Sequence, residues 1–174
     1  MVTLLAVSGS LRRNSSNTAL LQAAVKIAPQ EARIRIYDGI GELPHFNPDL
    51  DNEQPESVRN WRRAIEAADG LIISTPEYAH GVPGALKNAL DWLVGSTEMN
   101  DKPVFMFNAS PRSAYAVASL KETLRTMGAR VLDEADLTVP LLGQNLTVER
   151  IAAHEEFSEM LREGLRRVVH TIAR

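Results

Sequence analysis

No cysteine occurs among the 174 residues. Disulfides, thiolate metal sites and a cysteine nucleophile are thereby excluded. No apolar run approaches the roughly 18 residues that a membrane helix needs. No basic stretch precedes the first apolar run, so no secretory signal is evident and a cytoplasmic location is expected. The three N-x-S/T sequons, at Asn14, Asn108 and Asn145, are then chance matches. Positive charge is also in short supply. The formal net charge is −3, and the basic residues are scattered apart from Arg12-Arg13 and a cluster from Arg162 to Arg174. A nucleic-acid partner is not expected from that balance. The four histidines are His45, His80, His154 and His170. His154-Glu155-Glu156 begins like a zincin motif, but position 158 is serine, so no metal site is expected. No Ser-His-Asp set or paired-carboxylate site is apparent.

What is present is apolar material, 44% of the chain. That suffices for one domain, residues 1–174, with a sizeable core. Val2 to Ser8 is a continuous run of small apolar residues, as in a strand buried on both faces. Further strands are expected at Arg33 to Tyr37, Gly70 to Thr75, Val104 to Asn108 and Arg130 to Leu132. Helical spacing marks residues 17 to 28, capped by Ser16 or Asn17 and stopped by Pro29. Other helices are expected from Pro55 to Ala68, up to Val94, from Ala116 to Met127, and from Val148 to Ala173. In the last, Phe157, Leu161, Leu165, Val168 and Ile172 form one stripe, and its acids precede its bases as the helix dipole favours. Five strands alternating with five helices predict right-handed βαβ units on a parallel sheet. The expected fold class is α/β, a flavodoxin-like three-layer sandwich with strand order 2-1-3-4-5. Its ligands bind at the carboxyl ends of strands one and three. Residues 38 to 54 and 95 to 101 are candidate specificity loops.

The loop after strand one reads SGSLRRNSSN (8–17). Hydroxyls and backbone N–H groups at a helix start favour an anion. Arg12 adds a guanidinium suited to phosphate oxygens, and Gly9 lets the chain turn. The loop has neither a Walker A pattern nor the three glycines of a dinucleotide fingerprint. Asp38, at the end of strand two, is only a weak candidate for a ribose acid without those glycines. A polar turn with a helix cap is the alternative reading.

The loop after strand three opens PEYAHGVPG (76–84). Two prolines stiffen it, and Gly81 and Gly84 permit left-handed geometry. Backbone donors and the face of Tyr78 would suit the edge of a planar heteroaromatic. A conventionally capped turn is again the alternative. His80 and Glu77 are candidate acid–base groups, with surface polar roles favoured for both.

Together GSLRRNSSN (9–17) and PEYAHGVPGALKNALDW (76–92) resemble the NADPH-dependent FMN reductases, within the flavodoxin-like quinone, chromate and azo reductases. The resemblance spans nearly the whole chain. It implies that Ser10, Arg12, Ser15 and Asn17 bind the FMN phosphate. It implies that Pro76, Glu77 and Tyr78 cradle the ring and ribityl chain. A homodimer or a dimer of dimers is implied too, with the flavin near the subunit interface. The chain departs from that pattern twice. Ala79 stands where the family often has Asn, and Asn108 to Tyr115 lacks a common Gly-Gly pair. Ser110 remains a hydroxyl candidate for the flavin, and Arg112 a candidate for a phosphate of the nicotinamide donor.

The function implied is an FMN-dependent NAD(P)H oxidoreductase with ping-pong hydride transfer. NADPH or NADH is the co-substrate. A quinone, azo compound, free flavin or metal oxyanion is the small-molecule acceptor. No residue-borne catalysis is required, because the flavin carries the chemistry. Two rival readings are an electron carrier that binds FMN without using NAD(P)H, and a non-enzymatic module for some other phosphate ligand.

Overall fold

The structure is a computed structural model that describes residues 1–141, 143–144 and 146–173. The sequon at Asn145 and the last residue of the basic cluster, Arg174, lie outside the described residues. Strand β1 (Val2–Ser8) leads through helix α1 (Ser16–Lys26) to β2 (Ala32–Tyr37). Then follow α2 (Glu56–Glu66), β3 (Gly70–Ser74), α3 (Gly84–Asp91), β4 (Pro103–Asn108) and α4 (Ala114–Thr126). The chain continues through β5 (Arg130–Val131), β6 (Leu137–Thr138), α5 (Val148–Ala153) and α6 (Glu155–Ile172). No described helix is long and apolar enough to cross a membrane.

The sheet is parallel, in the expected order β2-β1-β3-β4-β5. Strands β3 and β4 are buried along their whole length, because helices cover both faces. Side-chain alternation sorts the core into two layers. Leu4, Ala6, Ile72, Phe105 and Phe107 pack with α1 and α6. Leu5, Val7, Leu71, Ile73, Val104 and Met106 pack with α2, α3 and α4. The stripe of α6 is buried at Phe157, Leu161, Leu165 and Val168. Its outward face carries the ion pairs of Arg166 with Glu159 and Glu163.

The far edge departs from expectation. The last strand is interrupted, with β5 pairing the first half of β4 and β6 the second. A 3₁₀ turn at Asp133–Ala135 separates the two halves. Between them, Asp136 Oδ1 accepts a hydrogen bond from Met106 N at 2.8 Å, so a side chain supplies the missing rung. Burial pushes the Asp136 carboxyl up, and the nearby Lys121 ammonium only partly offsets this. Two-residue strands leave no periodicity to read.

The C-terminal helix is likewise two helices. They meet at His154, whose extended backbone breaks the run. Its Nδ1 accepts from Phe157 N, and its ring stacks on Phe157 at 4.0 Å. Glu155 and Glu156 then fall in the first turn of α6, where the helix dipole favours acids. The His-Glu-Glu run is a helix start.

Residues 38 to 54 contain two 3₁₀ turns, Gly39–Glu42 and Pro48–Glu53. The segment is strapped to α3. Asn88 Oδ1 accepts from Phe46 N at 2.8 Å, and Asn88 Nδ2 donates to Pro44 O at 2.9 Å. Trp92 Nε1 donates to the same oxygen at 2.8 Å, and its ring meets Phe46 edge-on. Residues 95 to 101 immediately precede β4. They therefore lie at the amino edge of the sheet, opposite the ligand-binding edge, and do not border a site there in the same chain.

Candidate functional site

At the carboxyl edge, the loop after β1 is pressed against the end of β3. Gly9 N donates to Ser74 O at 2.8 Å. A Cβ on Gly9 would lie 2.4 Å from Thr75 Oγ1. Glycine is required there by close approach, and no positive φ is involved. Across the same contact Asn17 Oδ1 accepts from Ser74 Oγ at 2.9 Å. The cap of α1 is Ser15, whose Oγ accepts from Thr18 N at 3.4 Å. The helix starts one residue earlier than its apolar spacing suggests, which displaces the cap from Ser16 or Asn17.

These contacts share a polarity. Ser10 Oγ accepts from Arg12 N at 3.3 Å. Ser10, Ser15 and Asn17 are all buried, and each turns an acceptor inward. A hydroxyl that accepts still has a proton to donate, and an amide that accepts through oxygen still has two. Three buried side chains thus keep donors for a ligand, beside Arg12 and the free N–H groups that begin α1. That donor set fits a phosphate group.

The loop after β3 is a two-residue hairpin. Tyr78 and Gly81 exchange backbone hydrogen bonds of 3.1 and 2.9 Å. The left-handed residues are Ala79 (φ 49°) and His80 (φ 58°), whereas Gly81 and Gly84 have no positive φ. This geometry favours Asn-Gly, so Ala-His gives no warning of it. Each alanine-like residue held left-handed costs about 1–2 kcal/mol. His80 recovers contact by stacking on Tyr115 at 4.3 Å, with the rings 15° apart. Glu77 Oε2 accepts from Ala116 N at 2.9 Å, satisfying an open N–H in the first turn of α4. The loop after β4 adds Ser110, whose Oγ accepts from Arg112 N at 3.1 Å.

The three loops enclose one cleft of about 320 Å³. Ser10, Arg12, Ser15 and Asn17 line it from the first loop, and Pro76, Glu77 and Tyr78 from the second. Ser110 lines it from the third, so the eight residues expected to hold FMN meet in one place, and Arg112, the candidate for the donor's phosphate, lines it with them. Ser16, Ala109, Arg112 and Ser113 complete the wall. Of these, Ser16 was readable from the same hydroxyl-rich run. His80 stands outside the cleft, and the Glu77 carboxylate is engaged with α4.

A family model for NADPH-dependent FMN reductases matches residues 2–141. The chain belongs to that family. It is a family of flavoprotein oxidoreductases with FMN as cofactor and NAD(P)H as electron donor. A 2-hydroxy-1,4-benzoquinone reductase from Burkholderia is 48% identical over 86 residues, a match covering 49% of this chain and 46% of that relative. The chain thus spans about half of that relative's length. The NADH:(hydroxy)cinnamate reductase subunit CrdA of Vibrio ruber is 33% identical over 172 residues, covering 91% of this chain and 83% of the relative. The flavoenzyme NAD(P)H:acceptor oxidoreductase FerB of Paracoccus denitrificans has the same architecture. It superposes with a TM-score of 0.82 at 30% identity, over 99% of this chain and 98% of that one.

Proposed function

We propose that residues 1–174 act as one FMN-binding unit that reduces a small planar acceptor, of the quinone class, with electrons from NAD(P)H. The observation that carries this reading is the inward-facing acceptors of Ser10, Ser15 and Asn17. They leave donors and the Arg12 charge for the FMN phosphate. Pro76, Glu77 and Tyr78, with Ser110 opposite, would hold the ring and ribityl chain. When bound, FMN supplies the two-electron chemistry that links donor and acceptor. The protein's own residues bind, orient and limit access. Glu77, tied to α4, fixes the spacing between the second and third loops.

A quinone-class acceptor is supported by relatives named for benzoquinone and quinone reduction. Around the same cleft, Tyr78 is 51% exposed and Tyr115 62%. A second copy of the chain, as a homodimer or a dimer of dimers, fits these aromatics and the equally exposed Leu11 (62%). The cleft is at the small end of ligand pockets, which run from about 300 to 1,000 Å³, and would leave one face of the ring open. A cytoplasmic location, where NAD(P)H is supplied, accords with the activity.

The test is an anaerobic absorbance titration. Protein is loaded with FMN, desalted and given NADPH. A retained yellow spectrum that bleaches on mixing is expected, with reoxidation by benzoquinone. Protein that keeps FMN but does not bleach with NADPH or NADH is an electron carrier. Protein that neither retains FMN nor oxidises NADPH with FMN in excess refutes the flavin reading.

A further inference from the structure

The first loop carries two adjacent arginines, and they face different cavities. Arg12 lines the cleft. Arg13 lines a second cavity of about 490 Å³, between the start of α1 and the segment that opens α5. Ser15 and Ser16 border both spaces, so the loop is a partition with one guanidinium on each side. Asn14, Gln22 and Thr147 add hydrogen-bonding groups to the second cavity. Its acid, Glu149, is held by Lys26 at 3.6 Å.

We propose that this second cavity receives the ADP-ribose half of the nicotinamide donor, with Arg13 on one of its phosphates. The inference rests on the reductase reading. A donor that brings its nicotinamide to the flavin must place a second half nearby, carrying the pyrophosphate and, in NADPH, a 2′-phosphate. Of the two arginines on the cleft, Arg12 and Arg112, the first is committed to the FMN phosphate, and two phosphate groups on one guanidinium would repel each other. The partition separates them and gives each a cation. The Glu149 carboxylate can accept hydrogen bonds from ribose hydroxyls, as acids do in other dinucleotide sites. Arg112, which lines the FMN cleft, is the competing candidate for the donor's phosphate.

The experiment uses fragments that lack nicotinamide. Protein kept in excess FMN is titrated calorimetrically with ADP-ribose and with 2′-phospho-ADP-ribose, as wild type, Arg13→Ala and Arg112→Ala. Loss of a charged hydrogen bond in Arg13→Ala should raise the fragment Kd about tenfold or more, with the Kd for FMN unchanged. Weakening of both fragments assigns Arg13 to the pyrophosphate. Weakening of the phosphorylated fragment alone assigns it to the 2′-phosphate. No fragment binding by wild type, an unchanged Kd in Arg13→Ala, or weakening only in Arg112→Ala overturns the proposal. The reductase reading fails separately, if NADPH and NADH leave the wild-type flavin oxidised.

Discussion

Glu77 Oε2 lies 2.9 Å from the backbone nitrogen of Ala116 and accepts its hydrogen bond. The residue is thus a helix cap supplied from a neighbouring loop. The nominal cap of α4, Ser113, makes no side-chain bond of its own. Removal of such a cap typically costs about 1 kcal/mol. Glu77→Ala should therefore lower thermal stability, while Glu77→Gln, which keeps an acceptor, should lower it less. Identical melting temperatures for all three proteins would show that the cap carries no weight.

Arg12 is the charged member of the proposed phosphate site. Arg12→Ala should weaken FMN binding by about 1.5–3 kcal/mol, the range for a hydrogen bond to a charged group. Flavin fluorescence quenching reads this directly. The wild-type affinity should fall with salt more steeply than that of the variant. Equal affinities at low salt would remove Arg12 from the site.

The turn at Ala79 and His80 stores strain that an Asn at 79 would relax, because Asn tolerates left-handed backbone. Ala79→Asn should stabilise the fold by roughly 0.5–1 kcal/mol, a fraction of the left-handed penalty. Denaturant titration is the check. An unchanged or lower midpoint would mean that neighbouring contacts, such as the His80–Tyr115 stack, already absorb the cost.

Acid sensitivity has a source on the opposite edge of the sheet. Burial pushes the Glu98 carboxyl up, but the hydrogen bond and positive charge of Arg62 help to outweigh it, and its pKa is held below the usual value. Arg62 Nε donates to it at 2.7 Å. A lowered folded-state pKa contributes stability above the unfolded value, and that stability is lost as pH falls through the folded one. Glu98→Gln should then cost about 1 kcal/mol at pH 7, as for a partly exposed pair. The difference from wild type should shrink at pH 3. A gap that stays constant with pH would rule out a charge effect.

The sheet order was legible because strands β1, β3 and β4 are unbroken apolar runs separated by helical spacing. The edge was not, because Asp136 replaces a backbone group and two-residue strands show no period. The candidate site was legible from residue types whose chemistry needs no particular backbone, such as Ser10, Arg12 and Tyr78. Its bracing was hidden. Nothing in Ala79-His80 announces a left-handed pair, and nothing near Glu77 in sequence announces Ala116. The split of Arg12 from Arg13 was equally invisible, since adjacent side chains diverge only once the loop is folded.

Asn88 and Trp92 sit in the most recognisable part of the chain, yet their bonds go to Pro44 and Phe46. A descendant of this protein could abandon its cofactor and still need both to keep the strap in place. The back half of PEYAHGVPGALKNALDW would then persist as a fossil of architecture, while selection erased the front half. Inheritance of Lys-Asn-x-x-Asp-Trp by itself records ancestry, and the Pro-Glu-Tyr turn is where a lost trade would first show.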